Sequence, residues 1–257
     1  MIPAHPLGRV FEGVWRKKPP RTQYEKGTSL FTVVIPTLNE EKLIAQVLSN
    51  IRAVLPCSKV IISDGGSKDK TIPISRKYAD VVLSRHGDTI GIARNAAARL
   101  AKTKFVLFVD SDTFPTKQFV EATLSSFADP RVVCASATVL PTHLNWFDEA
   151  FFYGLNFIVY LSVKINRPTI AGSCVAYKTN AFRRIGGFDE TTASAEDFAL
   201  SIKARTIGKI AYFRSIIVPT SRRRIKDLGL FGLMFDWGKH TMAFLVGEKT
   251  KSYGAHR

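Results

Sequence analysis

The sequence has few cysteines, lacks the two common nucleotide-binding loops and has no long uninterrupted apolar run. Its three cysteines, Cys57, Cys134 and Cys174, lie far apart, so neither a disulfide framework nor a clustered zinc site is indicated. We therefore expect a reducing, cytoplasmic compartment. No GxGxxG segment follows the first predicted strand and GxxxxGK[ST] does not occur, which excludes a dinucleotide fingerprint and a Walker loop. Any nucleotide phosphates must therefore be bound by another structural element.

Acidic residues are also scarce, because 21 Asp and Glu stand against 37 Lys and Arg in 257 residues, a formal charge of +16. Such a balance favours anionic partners, whether nucleic acid, phosphorylated small molecules or acidic lipid surfaces, although a basic surface kept for solubility explains it too. The sequence has no helix-turn-helix, zinc knuckle or basic strand interleaved with aromatic residues. We therefore expect no nucleic-acid partner.

Two kinds of segment indicate peripheral membrane contact. Residues 1–29 are basic, contain prolines and glycines, and have no apolar run, so we expect a basic arm rather than a signal peptide. A disordered leader without a role explains the same residues. Segments 146–165 and 228–247 are rich in aromatic residues but interrupted by polar ones, so each could lie at a membrane interface, in the core or in an oligomer interface.

From Phe31 onward, short apolar runs alternate with segments of helical periodicity. This alternation is typical of an α/β fold with a mainly parallel central sheet flanked by helices. The predicted strands are residues 31–36, 59–63, 80–84, 104–109 and 132–139. The predicted helices are residues 40–54 (capped by Asn39), 68–78, 90–102 and 116–127. The second half is less regular.

Polar residues follow four of these strands at the point where each strand ends. Because ligands of an open parallel sheet bind outside the carboxyl ends of its strands, these residues should converge on one edge. Asp110 and Asp112 follow the most apolar strand, KFVLFV. Two carboxylates in this position can share Mg²⁺ with substrate phosphate oxygens. A surface turn or a helix cap is the competing interpretation of an isolated Asp-x-Asp.

Five motifs in order carry a resemblance to family 2 glycosyltransferases. They are VVIPTLNE, DGGSKDKT, GIARNAAARLAKTKFVLFVDSD, GGFDE and AEDFALSIKARTIG, spread over roughly residues 31–218. The resemblance implies a GT-A fold that transfers a sugar, as a hexosyltransferase, from a nucleotide-diphosphate donor with inversion. It also implies a nucleotide-binding half at 30–113, an acceptor half at 114–220 and a basic, hydrophobic C-terminal helical segment at 221–257.

The resemblance assigns a donor site to particular residues. Arg94 would meet the diphosphate, Asp110 the ribose and the metal, and Asp112 the metal, which would be Mn²⁺ or Mg²⁺. The remaining predicted nucleotide-sugar contacts are Pro36, Thr37, Asn39, Glu40, Asp64, Gly65, Ser111, Gly172 and Ser173. Of these, Asp64 would bind the base. Many relatives have a second aspartate where this chain has Gly65, so base preference is open.

The same resemblance makes Asp197 the general base, with Glu196 in a supporting role. Helix capping is the alternative, since acidic residues are common at helix N-termini. A basic acceptor or phosphate element is expected at Arg222, Arg223 and Arg224. The acceptor could be a lipid phosphate or a glycolipid. The Gln-x-x-Arg-Trp motif of processive synthases is missing, which favours a single transfer.

Three other classes of protein remain open. A nucleotidyltransferase shares a related sheet and a metal, but it usually has a Gly-rich, arginine-bearing loop after the first strand, and PTLNEEK is not such a loop. A basic nucleic-acid-binding protein would explain the charge alone. A catalytically inactive transferase-like nucleotide binder is the closer rival, although Asp110, Asp112 and Asp197 are all present.

Overall fold

The computed structural model describes residues 29–87, 89–192 and 195–246, with side chains as far as residue 239 in the last helix. The predicted basic arm, apart from Ser29, and residues 247–257 lie outside these ranges. The strands are β1 Phe31–Thr37, β2 Lys59–Asp64, β3 Val81–Ser84, β4 Phe105–Val109, β5 Val132–Pro141, β6 Cys174–Lys178 and β7 Lys209–Thr220. The helices are α1 Ile44–Val54, α2 Thr71–Ser75, α3 Ile90–Ala98, α4 Lys117–Phe127, α5 Trp146–Lys164, α6 Thr179–Arg184, α7 Glu196–Ile207 and α8 Arg223–Val246.

These strands form one seven-stranded sheet in the order β3-β2-β1-β4-β6-β5-β7. β1 pairs in parallel with β2 and β4, and β2 with β3, so the first half of the chain is an all-parallel unit. β6 runs antiparallel to β4 and β5, while β7 returns parallel to β5. The sheet is therefore mixed but mainly parallel, and it is continuous across the boundary predicted at residue 113. The division into two halves stays a prediction.

The central strands are apolar because helices cover both faces of the sheet. Along β1, Val33 and Ile35 pack into one buried cluster with Leu48 of α1, whereas Val34 packs into the opposite cluster with Ala97 of α3. Every residue of β1 is buried. The continuous apolar runs seen in the sequence thus mark strands between two helical layers.

The structure differs from the prediction at the start of α1. Asn39 was expected to cap a helix beginning at residue 40, but α1 begins at Ile44 and Leu43 is its N-cap residue. Asn39 instead has φ 54°, and its Oδ1 accepts a hydrogen bond of 2.9 Å from the backbone N–H of Lys68. The side chain therefore ties two strand-end loops together. The predicted helix at 68–78 is likewise shorter, since α2 spans only Thr71–Ser75.

The two aromatic-rich segments form α5 and α8, which pack against each other. Phe152 of α5 and Leu233 of α8 are buried in a third cluster, and the rings of Phe152 and Trp237 lie 6.1 Å apart. Non-helical backbone at Gly229 divides α8 into two helical parts. In the described part of the chain, no helix has both the length and the hydropathy needed to cross a membrane.

Candidate active site

The loops after β1 and β2 are held together by the buried carboxylate of Asp64. Its Oδ2 accepts hydrogen bonds from the hydroxyls of Thr37 (2.9 Å) and Ser67 (2.6 Å). Its Oδ1 accepts from the backbone N–H groups of Gly66 (3.0 Å) and Ser67 (2.8 Å). A carboxylate offers about four acceptor sites, so these donors occupy it. In this structure Asp64 shapes the strand-end loop, and its predicted contact with a base stays a prediction.

The other predicted nucleoside residues surround this loop. Pro36 is buried in register with Ser63, and the N–H of Gly65 donates to the carbonyl of Thr37 at 2.9 Å. Glu40 is 1% exposed, which is unusual for a carboxylate unless it is paired. Its partner comes from the far end of the chain. Both of its oxygens accept hydrogen bonds from Arg223, at 2.7 and 2.9 Å.

Arg94 is a buried guanidinium that joins two carboxylates. Its Nη2 bonds Asp110 and its Nη1 bonds Glu196, both at 2.8 Å, and only 2% of the residue is exposed. The guanidinium also lies over the ring of Phe188, 5.2 Å from the centroid. Burial alone would lower the pKa of Arg94, but the charges of Asp110 and Glu196 raise it above its usual value. Arg94 therefore stays charged and connects the end of β4 to the start of α7.

Gly172 lies where a side chain would collide with this guanidinium. A Cβ at Gly172 would come within 2.6 Å of Arg94 Nη1. The backbone of Gly172 also takes part in the network, because its carbonyl accepts from Arg94 at 3.3 Å and its N–H donates to Asp197 at 2.7 Å. The close approach thus explains the glycine at this position.

We expect Gly172→Ala to lower the free energy of unfolding by about 1–3 kcal/mol, because the clamped Arg94 must move to admit a methyl group. Gly154→Ala is the matched control, since a Cβ at Gly154 in α5 meets nothing within 4 Å. There, alanine should leave stability unchanged or raise it by up to about 1 kcal/mol, because it favours the helix. Urea denaturation of both variants measures the difference. Equal effects would show that Arg94 accommodates the methyl group.

Asp110 and Asp112 both lie at the edge of the sheet after β4, but their surroundings differ. Asp110 is partly exposed, with 29% of its side chain accessible, and Arg94 is its only described cationic contact. Asp112 Oδ2 accepts from the hydroxyl of Ser221 at 3.2 Å. Burial raises the pKa of Asp112 and the charge of Asp110 raises it further, while Arg223 opposes both. Ser111, between them, is 3% exposed.

Three consecutive arginines have three different partners: Arg222 directly precedes α8, and Arg223 and Arg224 are its first two residues. Arg223 pairs with Glu40, and its Nη2 also lies 3.9 Å from Asp112 Oδ2. Arg222 donates to the carbonyl of His143 at 2.7 Å, and Arg224 pairs with Asp236 at 3.0 Å. Arg223 contacts two of the predicted donor residues, Glu40 and Asp112. The structure thus brings Arg223 into the site and places Arg222 and Arg224 beside it.

Glu196 and Asp197 begin α7 on the opposite side of Arg94. Asp197 Oδ2 accepts from the N–H of Gly172 at 2.7 Å and its Oδ1 from the N–H of Phe198 at 2.9 Å. Burial and the charge of Asp197 raise the pKa of Glu196 to about 7, despite Arg94. Burial also raises the pKa of Asp197, with Arg94 and the two amides opposing it. The single positive charge of Arg94 thus faces the three carboxylates of Asp110, Glu196 and Asp197.

The donor set at the end of β4 fits a hard divalent cation. Asp110 and Asp112 supply carboxylate oxygens at this edge, whereas both oxygens of Glu40 are already bound by Arg223. The described residues contain no group of three or more His, Cys, Asp or Glu side chains placed to hold a metal. A site built from one or two carboxylates and substrate phosphates needs no such group.

Several residues that complete the site were not predicted. Ser67 and Ser221 donate to Asp64 and Asp112, respectively, and the ring of Phe188 lies under the guanidinium of Arg94. Asn95 holds the GGFDE loop by bonding both the N–H (3.0 Å) and the carbonyl (2.9 Å) of Phe188. Its position one residue after Arg94 in GIARN was the available signal. Ser67 lies inside the quoted DGGSKDKT motif, which was its signal. Ser221 directly precedes the three arginines and carried no signal, because hydroxyls adjacent to a motif are common.

Comparison with solved structures identifies the fold class of the chain. The fold resembles that of the mannosyltransferase from Pyrobaculum calidifontis, solved with GDP-Man and Mn²⁺, with a TM-score of 0.62 at 20% identity over 95% of this chain and 70% of that one. Together with the sheet order, this likeness confirms the predicted GT-A type fold.

The family follows from the sequence itself. The model of glycosyl transferase family 2 matches residues 32–186, more than half of the chain, and the chain belongs to that family. It is 30% identical to the O-antigen chain rhamnosyltransferase WbaN of Salmonella anatum, over 74% of this chain and 68% of that protein. It is 28% identical to the pre-mycofactocin glycosyltransferase of Mycobacterium tuberculosis, over 66% of this chain but only 37% of that protein. Glu196 and Asp197 lie beyond residues 32–186, the segment that the family model matches.

Proposed function

We propose that the protein transfers a sugar, with inversion, from a nucleotide-diphosphate donor to an acceptor hydroxyl. The observation that carries this proposal is Arg94, which connects Asp110 on the donor side with Glu196 and, through Gly172, with Asp197 on the other side. An arginine 2% exposed among these carboxylates fixes their separation and orientation. The named relatives, which are a rhamnosyltransferase and a glycosyltransferase, support the same activity.

The donor would lie at the carboxyl edge of the sheet. The loop residues Thr37 and Asn39 would line the nucleoside, and the partly exposed carboxylate of Asp110 would contact the ribose. Arg94 is 2% exposed and its guanidinium pairs with Asp110 and Glu196, which supports a role in orienting Asp110 beside the predicted contact with the diphosphate. Arg223, beside Asp112 and one-third exposed, is the cation nearer to the position of the phosphates.

Asp112 and Asp110 would hold a divalent cation between the chain and the donor. Mn²⁺ in the mannosyltransferase complex supports this assignment. Such a cation, when bound, offsets the negative charge that grows on the departing diphosphate. Arg223 would then exchange part of its contact with Asp112 for a phosphate oxygen, while Glu40 keeps the guanidinium in place.

Asp197 would accept the acceptor's proton. As the acceptor oxygen bonds to the anomeric carbon, the bond to the diphosphate breaks, its electron pair leaves with the diphosphate, and the hydroxyl proton passes to Asp197. The raised pKa of Asp197 suits a base that must take a proton near neutral pH. A base is needed for a hydroxyl acceptor, such as that of a glycolipid, whereas an ionised lipid phosphate needs none.

We expect Asp112→Asn to weaken metal-dependent donor binding by about tenfold or more, because the cation loses a charged ligand and the amide cannot replace it. Calorimetric titration with the UDP and GDP series, with Mn²⁺ or Mg²⁺ and then with a chelator, measures the effect. Asp129→Asn, which removes an exposed carboxylate paired with Arg131, is the matched control and should bind as the wild type does.

Binding that survives chelation and the Asp112 substitution would remove the cation from the proposal. Failure of the wild-type protein to bind either nucleotide series would favour a catalytically inactive relative. Salt-dependent binding of nucleic acid in place of nucleotide sugar would favour the basic nucleic-acid binder. Binding of free nucleoside triphosphates in preference to nucleotide sugars would favour a nucleotidyltransferase.

A further inference from the structure

The outward face of α5 is apolar, which is the reverse of a helix that faces water. Trp146 is 81% exposed, Phe147 54% and Ile158 60%, and Phe157 and Leu161 are also exposed. At 100° per residue these positions lie on one side of the helix. The opposite side carries Phe152, which is buried. Scattered apolar residues are normal on protein surfaces, whereas a continuous stripe marks an interaction site.

The second part of α8 repeats the pattern. Phe231 is 80% exposed, Phe235 78% and Met234 42%, and their spacing of three and four residues places them on one helix face. Leu233 and Trp237 point into the cluster shared with α5. The two neighbouring helices therefore each bury one side and expose an apolar stripe. We call Trp146, Phe147, Phe157, Ile158, Leu161, Phe231, Met234 and Phe235 the apolar face.

Exposed cations accompany the apolar face. Arg214 lies over the ring of Phe157, 5.0 Å from its centroid, and Lys164 lies 5.4 Å from the ring centroid of Tyr160. Lys226 and Lys239 of α8 are exposed as well. Aromatic side chains bordered by Lys and Arg suit the boundary between lipid headgroups and acyl chains, where rings enter the apolar layer and cations meet phosphates.

We infer that the apolar face docks on the surface of a bilayer containing anionic phospholipid. The charge of the chain, +16, complements such a surface. α8 also begins at Arg223, which contacts Glu40 and lies 3.9 Å from Asp112, so this helix runs directly from the candidate site to the apolar face. The inference rests on the proposed function only in placing a membrane-borne acceptor near the site.

Vesicle co-sedimentation of the full chain, without donor, tests the inference. We expect binding to phosphatidylcholine vesicles that contain phosphatidylglycerol, weaker binding to phosphatidylcholine alone, and a decrease with added salt. The double substitution Phe231→Ser and Phe235→Ser should lower the partition coefficient by about tenfold or more, because two exposed rings no longer enter the lipid. Arg214→Gln with Lys164→Gln should weaken binding to the anionic vesicles alone.

The matched control replaces exposed apolar residues elsewhere. Leu100 and Ile202 are 39% and 40% exposed, and Leu100→Ser with Ile202→Ser should leave vesicle binding unchanged. Absence of vesicle binding, or an equal loss in this control, would overturn the inference. So would a dimer in solution that the Phe231 and Phe235 substitutions dissociate, since that result assigns the face to a second copy. Donor titration of the same proteins is independent, so loss of donor binding with intact vesicle binding would count against the proposed function alone.

Discussion

Arg94→Met is expected to lower the free energy of unfolding by about 3–5 kcal/mol, the range found when one partner of a buried ion pair is removed. Methionine fills much of the volume but leaves Asp110 and Glu196 without their cation. Donor binding and transfer should fall together, because the carboxylates on both sides of the site lose their common anchor. Urea denaturation at neutral pH, followed by calorimetry with the donor, measures both effects.

Arg99→Met is the matched control at the end of the same helix. Arg99 also forms an ion pair of 2.8 Å, with Glu190, but 66% of its side chain is exposed. Exposed pairs contribute about 0–1 kcal/mol, since water screens them. The two variants therefore remove the same kind of contact at the same distance and differ in burial. A similar loss of stability in both would mean that burial of Arg94 adds nothing.

The pH dependence gives the Arg94 variant a second readout. Without the guanidinium, the ionised forms of Glu196 and Asp197 become still less favourable, because burial already raises the pKa of each. Protonation at low pH removes the uncompensated charge. The stability difference from the wild type should therefore be smaller at about pH 5 than at about pH 8. A difference independent of pH would indicate that Arg94 acts through packing, for example on Phe188.

The sheet and its functional edge were predictable from local pattern. Apolar runs located the strands of the first half to within about two residues, and parallel pairing then required the residues that follow them, including Asp64 and Asp110, to share an edge. The start of α1 was predicted wrongly, because Asn39 is an acceptable cap by composition. Its side chain instead bonds the N–H of Lys68, 29 residues further on, a partner that no local pattern contains.

The pairings inside the site were not predictable for the same reason. Arg94 and Glu196 are 102 residues apart in sequence, and Glu40 and Arg223 are 183 apart. Each contact depends on how β5, β6, β7 and α8 return to the sheet. The sequence indicated that these residues carry charge. It did not indicate that the guanidinium of Arg94, which the resemblance assigns to the diphosphate, is bound by two carboxylates.

The exposed side of α5 was equally hidden in the sequence. Its residues are apolar nearly all the way round, so periodicity cannot separate the side that packs on Trp237 from the side that faces outward. The positions of β5, β7 and α8 against the helix decide this. The apolar face is therefore a property of the assembled fold, and the burial of individual side chains separates it from the core.

Asp197→Asn is expected to lower kcat by about 10²–10⁴-fold, the usual contribution of a general base, with little change in donor affinity. The amide oxygen of asparagine can still accept the N–H of Gly172, so the position of the side chain should be kept. What is lost is the ability to take a proton. Glu121→Gln, in α4, removes a charge from a side chain that is 61% exposed and should leave kcat unchanged.

The pH profile separates a base from a structural carboxylate. The active form of the pair is ionised, the pKa of Glu196 is raised to about 7, and that of Asp197 is raised with it. Wild-type kcat should therefore begin to fall at a higher pH than it would with ordinary carboxyls, which stay ionised down to about pH 5. The low residual rate of Asp197→Asn should lack this decline. An Asn variant that keeps the wild-type rate would mean that the acceptor arrives already ionised, as a phosphate does, and the role given to Asp197 would then be wrong.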